Sequence, residues 1–261
     1  MKFALCADLH FGSVPEGLAD TLAEDLLAHQ PDLIIVAGDL TMRARATEFA
    51  AAGEWLRKLT VPVLVLPGNH DLPYWNLYQR FADPFHRFRQ ATDATLMPTF
   101  SNDRGLVLGF NTTRSWQPHL RWQEGVARRR DIDAARDMLD KAPDGAFKVV
   151  AAHHPFVKVA GRPRTRPVRR AGRALDAFLA GGVEMVLSGH THQSFAVEVE
   201  HADHTFIALG APTALSSRMR GEANGYWLVS TDRTSVMTAL HLRQGERFAQ
   251  AAEKAFPRPK T

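Results

Sequence analysis

Along the first seventy positions, short apolar runs alternate with stretches of helical spacing. Residues 2–7 form one run, ended by Asp8; "DLIIVAGD" at 32–39 and "VPVLVLPGNHD" at 61–71 are two more, each closed by glycine and polar residues. Short apolar runs bounded by turn residues read as strands buried on both faces. Between them, Leu18, Leu22, Leu26 and Leu27 recur at helical spacing, and Phe49, Trp55, Leu56 and Leu59 mark a helix near 46–59. "SVPE" at 13–16 has the form of a capping box, with Pro15 inside the first helical turn. Strands separated by helices in this way predict βαβ units.

The pattern resumes in the middle of the chain. "GLVLGFNTT" at 105–113, "FKVVAAHHP" at 147–155 and "VEMVLSGHTH" at 183–192 are predicted strands, with helices over 131–141 and 171–180. After 193, "SFAVEVE", "TFIALGAP", "GYWLVS" and "SVMTALHL" follow as consecutive strands, which predicts antiparallel pairing. One domain is expected over 1–243, followed by a polar, frayed tail over 244–261 that ends in "PRPKT".

Composition changes this picture little. The 261 residues, 45% of them hydrophobic, can bury a sizeable core. Cys6 is the single cysteine, so no intrachain disulfide can form, and a reducing cytoplasm is the expected compartment. The N-terminal apolar run is too short for an export signal, and no run approaches the ~18 apolar residues of a membrane span. A net charge of +4 points only weakly to anionic partners.

Chemistry gathers at the strand exits. Past the apolar runs stand Asp8 and His10, Asp39, then Asn69, His70 and Asp71, then His153 and His154, then His190 and His192. In open α/β sheets, ligands bind beyond the carboxyl ends of the strands. Residues i and i+2 of an extended segment align, so Asp8-x-His10 and His190-x-His192 each offer two ligands to one side. A lone Gly-Asp or Gly-Asn-His-Asp is most simply a turn. The whole series, in order at strand ends, predicts a metal centre. Carboxylate, amide and imidazole donors without a thiolate suit Mn²⁺, Fe²⁺/Fe³⁺ or Zn²⁺.

The series Asp8-x-His10, Gly38-Asp39, Gly68-Asn69-His70-Asp71, His153-x-Pro155 and Gly189-His190-x-His192 resembles the calcineurin-like metallophosphoesterase superfamily over residues 1–195. The resemblance implies an α/β fold: a four-layer α-β-β-α sandwich with two mixed sheets. It also implies two metal ions. Asp8, His10 and His192 would hold one, Asn69, His153 and His190 the other, and Asp39 would bridge them. Two such ions, roughly 3.5–4 Å apart, acidify a bridging water, and that hydroxide would attack phosphorus in line. His70 would face the leaving-group oxygen as general acid or charge stabiliser, with Asp71 a candidate to orient it. The likeness places the ligand of the adjacent pair two residues before proline, which selects His153; strand alternation then turns His154 away.

Departures narrow the branch. "GDLTMRA" lacks the G-D-x-x-D-R-G of protein Ser/Thr phosphatases, and His70 stands where diacylglucosamine pyrophosphohydrolases tend to carry Arg. The motifs look most like class III cyclic nucleotide phosphodiesterases and related bacterial phosphodiesterases. The expected substrate is a small phosphodiester, a 3′,5′-cyclic nucleotide first. A phospholipid or glycerophosphodiester phosphodiesterase and a phosphomonoesterase are the alternatives. A non-catalytic scaffold would be expected to have lost ligands, and here all seven are present.

Three basic stretches remain. "GRPRTRPVRRAGR" at 161–173 carries six arginines. It reads as a solvated loop capping the next helix, or as arginines that meet a substrate phosphate or an anionic lipid surface. "SSRMRGEANG" at 216–225 is a second loop placed to rim the site, and "VARRR" at 126–130 the exposed start of a helix. Aromatics are not interleaved with these charges, so no organised nucleic-acid reader is expected. Tyr74 and Trp75 are expected to pack in the core, with stacking on a base or against an acyl chain as the alternative. Nothing in the chain fixes an oligomeric state.

Overall fold

The computed structural model describes residues 1–116, 122–143, 145–161 and 166–259. Strands β1 (Lys2–Cys6), β2 (Leu33–Ala37) and β3 (Val63–Leu66) run parallel, joined by helices α1 (Leu18–Ala28) and α2 (Ala46–Lys58). Short helices α3 (Leu77–Ala82) and α4 (His86–Thr92) then lead to β4 (Thr99–Asn102) and β5 (Gly105–Gly109). Next come α5 (Arg129–Leu139), β6 (Phe147–Ala151), α6 (Ala171–Ala180) and β7 (Met185–Ser188). The chain ends in β8 (Phe195–His201), β9 (His204–Gly210), β10 (Gly225–Thr231), β11 (Ser235–Gln244) and β12 (Arg247–Pro257).

The strands form two six-stranded mixed sheets, ordered β12-β11-β10-β1-β2-β3 and β4-β5-β6-β7-β9-β8. Period-two alternation builds the layers between and outside them. Phe3, Leu5, Leu33 and Ile35 point inward and meet Val107, Val149, Met185 and Ile207 of the other sheet. Ala4, Cys6, Ile34 and Val36 point outward under α1 and α2. Leu106, Leu108, Val150 and Val186 lie under α5 and α6. Each large apolar side chain so buried contributes about 1.5–3 kcal/mol. The expected four-layer arrangement of helices and two mixed sheets is the one observed.

Three expectations are corrected. The segment 247–257, expected to fray, is strand β12; it pairs along the whole of β11, with Phe256 opposite Val236 and both in the inter-sheet core. Its alternation is weak because most of its side chains are exposed, and a polar edge strand reads like a tail. The last strands are not one antiparallel run either: β9 pairs parallel to β7, while β10 crosses to the first sheet and pairs with β1. "SVPE" does not cap α1. Gly17, with φ +74°, is the N-cap, and Ser13 Oγ meets Ser217 Oγ at 2.5 Å.

Candidate metal centre

Asp8 and His10 leave the end of β1, and Asp39 the end of β2. Asn69, His70 and Asp71 form one 3₁₀ turn after β3. His153 follows β6, and His190 and His192 follow β7. Because β1, β2 and β3 run parallel in one sheet and β6 and β7 in the other, the exits within each sheet face the same way, and the two sheets bring both groups to one seam. A cavity of about 750 Å³ beside Met1, Arg104 and Asp232 lies at the opposite ends of the strands and holds none of these residues.

The exits are not extended. Asp8, His10, Asp39, His190 and His192 all have left-handed backbone, with φ of 54°, 51°, 53°, 68° and 55°. Such conformations cost non-glycine residues roughly 1–3 kcal/mol each and concentrate at functional sites. The convergence therefore comes from coiled loops rather than from strand alternation. Glycines let those loops touch: a Cβ on Gly68 would lie 2.1 Å from Asp39 Oδ1, and one on Gly38 would lie 2.4 Å from His153 Nδ1.

The contacts cross the seam. His153 Nε2 lies 3.1 Å from Asn69 Oδ1 and 3.5 Å from Asp39 Oδ2. His190 Nδ1 lies 3.1 Å from the same Asn69 oxygen, and the His190 amide donates to Asp8 Oδ2 at 2.9 Å. His192 Nε2 sits 3.2 Å from Asp8 Oδ1, and 3.3 Å from His10 Nε2.

Tautomers follow from the outer contacts. Carbonyl oxygens accept from Nδ1 of His10 (Thr41, 3.3 Å), His153 (Ala37, 2.9 Å) and His192 (Arg218, 3.2 Å). A proton held on Nδ1 leaves the Nε2 lone pair facing inward, the state a metal requires. In His10 and His192 those two lone pairs face each other. Asp8 Oδ1 is buried and has no hydrogen bond among the described residues. Facing lone pairs and an orphaned carboxylate oxygen are what a cation resolves, so the residues fit a metal site.

Ionisation agrees with that. Burial, then the adjacent His153 ring, pushes His190 down to about 3, and burial brings His10 down to about 4 against the pull of Asp39 and Asp8. Both imidazoles are thus neutral near pH 7. Burial would raise Asp8 and Asp39, yet the surrounding imidazoles outweigh it and hold both carboxyls below the usual range. For His192, burial is overcome by the adjacent Asp8, and the net shift is upward.

His70 stands beside the cluster, with its ring 4.8 Å from that of His10. Its amide donates to Asp39 Oδ1 at 2.8 Å, and its Nδ1 lies 2.8 Å from the Met42 carbonyl, so Nε2 is left for the cleft. Asp71 does not orient it. The Asp71 carboxylate instead accepts from the amides of Leu40, Thr41 and Gly68 at 3.1, 2.9 and 2.8 Å, pinning the β2 and β3 exits together. Burial, then Asp39 nearby, raises Asp71 to about 6.

His154 is buried against Thr112 Oγ1 and the Gln123 carbonyl, 2.8 and 2.7 Å from its two nitrogens, and packs 4.6 Å behind the His190 ring. Both nitrogens are thus engaged outside the cluster.

A cleft of about 200 Å³ opens over Asn69 and His70, bounded also by Arg43, Arg218 and Arg220. An adjoining one of about 300 Å³ is lined by Tyr74 and Trp75. Those two aromatics are 56% and 80% exposed, so the expectation of core packing is corrected: the "LPYW" turn projects from the surface beside the site. Sequence reasoning missed Arg43, whose signal was an arginine four residues past Asp39. Of the 161–173 stretch, Arg162 and Arg164 lie outside the described residues. Arg166 pairs with Glu124 at 3.2 Å, and Arg170, the N-cap of α6, donates to the Ala127 carbonyl at 3.4 Å, so these two serve the loop.

A family model described as calcineurin-like phosphoesterase matches residues 1–194. A probable glycerophosphodiester phosphodiesterase GpdQ of Arcobacter nitrofigilis is 28% identical over 170 residues, 64% of this chain and 59% of that protein. A probable cyclic nucleotide phosphodiesterase of a Synechococcus strain is 24% identical over 206 residues, 75% and 74% of the two chains. The 3′,5′-cyclic adenosine monophosphate phosphodiesterase CpdA of Escherichia coli K12 is 25% identical, over 65% of this chain and 58% of its own. The chain thus spans less than two thirds of the length of the first and third of these relatives. Among solved structures, a dimetal phosphatase from Danio rerio superposes with a TM-score of 0.68 at 11% identity, over 99% of both chains. The purple acid phosphatase PPD1 of yellow lupin gives 0.69 at 10% identity, over 98% of this chain and 53% of its own. At such identities these likenesses show the fold.

Proposed function

The chain belongs to the calcineurin-like phosphoesterases, and on that premise we propose that it is a metal-dependent phosphodiesterase acting on a small phosphodiester, a 3′,5′-cyclic nucleotide before others. The observation that carries this reading is a complete set of seven metal-capable side chains at one seam, with His70 beside it under an arginine-edged cleft. Asp8, His10 and His192 would hold one ion, Asn69, His153 and His190 the other, and Asp39 would lie between. When bound, the pair supplies Lewis acidity at the phosphoryl oxygens and lowers the pKa of water.

The chain's own residues do the rest. Arg43 and Arg218 meet the diester's negative charge at the cleft mouth. His70, held through Nδ1 by the Met42 carbonyl, presents Nε2 toward the cleft, where a proton on it is placed for the departing oxygen. Tyr74 and Trp75 offer flat surfaces on which a nucleobase can stack. The cyclic nucleotide phosphodiesterases among the relatives favour the same substrate. Glycerophosphodiesters are the second class, favoured by the GpdQ likeness. No helix among the described residues is long and apolar enough to cross a membrane.

A panel of cAMP, 2′,3′-cyclic AMP, glycerophosphodiesters and bis(p-nitrophenyl) phosphate with Mn²⁺ tests the reading. The expected result is turnover of diesters, fastest for a cyclic nucleotide. Turnover of none would overturn it, and a preference for glycerophosphodiesters would move the substrate to the second class.

A further inference from the structure

A second cluster lies away from the seam, on the face of the first sheet that α1 covers. Asp25 stands in the last turn of α1, and His29, four residues on, is its C-cap. His241 faces them from β11. One ligand atom from each lies within 4.8 Å of the others. The two imidazole rings meet edge to face, with centroids 4.7 Å apart. His241 is buried; Asp25 and His29 are half-buried. Neither imidazole makes a hydrogen bond among the described residues.

Tyr226 completes the arrangement. It is the cross-strand partner of His241 and stacks on that ring, with centroids 4.9 Å apart and planes 20° apart. Its hydroxyl donates to Asp25 Oδ2, which leaves Oδ1 to turn toward the two imidazoles. A donor that holds the second oxygen of a ligating carboxylate is a common outer support of metal sites.

We infer that Asp25, His29 and His241 form a separate, mononuclear site for a borderline divalent cation such as Zn²⁺, with Tyr226 holding the carboxylate. Two imidazoles and a carboxylate, without a thiolate, match that class of ion. Metal–ligand bonds of about 2.0–2.2 Å set neighbouring ligand atoms roughly 3–3.5 Å apart. From the observed spacing, within 4.8 Å, the ligand atoms would have to draw in by about an ångström or more. The site shares no residue with the candidate centre. Its ion would tie the end of α1 to β11, so it acts on stability and not on turnover.

The simpler alternative is aromatic packing plus an Asp–Tyr hydrogen bond, which adds no metal. Chelator-stripped full-length protein is loaded with Zn²⁺, desalted and analysed for metal, beside His29→Gln and Asp25→Asn. Each variant is expected to bind one equivalent less than the parent. Each should also lose part of the zinc-dependent rise in thermal midpoint, yet hydrolyse bis(p-nitrophenyl) phosphate with Mn²⁺ at the parent rate. Equal zinc in the parent and in both variants overturns the site. Far-UV circular dichroism checks folding, and if one variant misfolds the other decides. Zinc count and turnover are read separately, so failure of the phosphodiesterase reading leaves this test intact.

Discussion

At the scale of single residues, the seam is held by close approach as much as by its ligands. Gly68 has an ordinary backbone conformation, with φ −106°, yet its missing Cβ makes room for Asp39. Gly68→Ala is expected to push Asp39 aside, lower stability by about 1–3 kcal/mol and abolish most Mn²⁺-dependent diesterase activity, read by calorimetry and a chromogenic diester. His70→Ala is expected to retain metal but lose about 10²–10⁴-fold in rate. The loss should be larger for poor leaving groups, and equal losses for good and poor ones would argue against a proton donor. The adjacent histidines should separate as their contacts do. His153→Ala should deplete bound metal, because His153 Nε2 faces Asn69 and Asp39. His154→Ala should spare metal and cost about 1–3 kcal/mol, the toll of leaving Thr112 and the Gln123 carbonyl without their buried partner.

At the scale of elements, the turn between β10 and β11 offers a test by pH. Asp232 accepts from the amides of Thr234 and Ser235 at 2.7 and 2.8 Å, and these bonds lower its carboxyl to about 2. A depressed carboxyl stabilises the fold above its unfolded value near 4, and that contribution is lost as pH falls toward 2. Asp232→Asn keeps an acceptor but not the charge, so its unfolding midpoint should fall less steeply than the parent's between pH 4 and 2. Strand β12 gives a second test. Ending the chain at 246 removes the buried Phe248 and Phe256, each worth about 3–5 kcal/mol on truncation to alanine. The shortened chain should fail to fold, where loss of a frayed tail would be harmless. The same elements show how far the sequence could be read. Apolar runs such as 33–37 and 63–66 are buried on both faces and announce themselves; β12 lies at a sheet edge, mostly exposed, and does not. The candidate ligands were legible because each follows an apolar run. The coiling that makes them converge was not, since left-handed φ at Asp8 or His192 leaves no mark in residue type. The exposure of Tyr74 and Trp75 was hidden for a related reason: an aromatic pair reads as core unless the fold shows it on a projecting turn.

At the scale of the whole molecule, cations should act on folding as well as on turnover. Asp8 Oδ1 is buried without a hydrogen bond among the described residues, and the imidazoles of His10 and His192 face each other, an arrangement costly to maintain without an ion. Chelation is expected to lower the thermal midpoint, and a metal at a hundred times its dissociation constant to restore about 2.7 kcal/mol per site. Calorimetry with and without Mn²⁺ measures this, and an unchanged midpoint would count against occupancy of the seam.

The candidate ligands are divided between the sheets. Asp8, His10, Asp39 and Asn69 come from the first sheet; His153, His190 and His192 come from the second. A nascent chain released before residue 147 carries only the first group, and a chain whose halves have not docked holds the two groups apart. On the proposed function, hydrolytic competence would therefore require both sheets to be formed and docked.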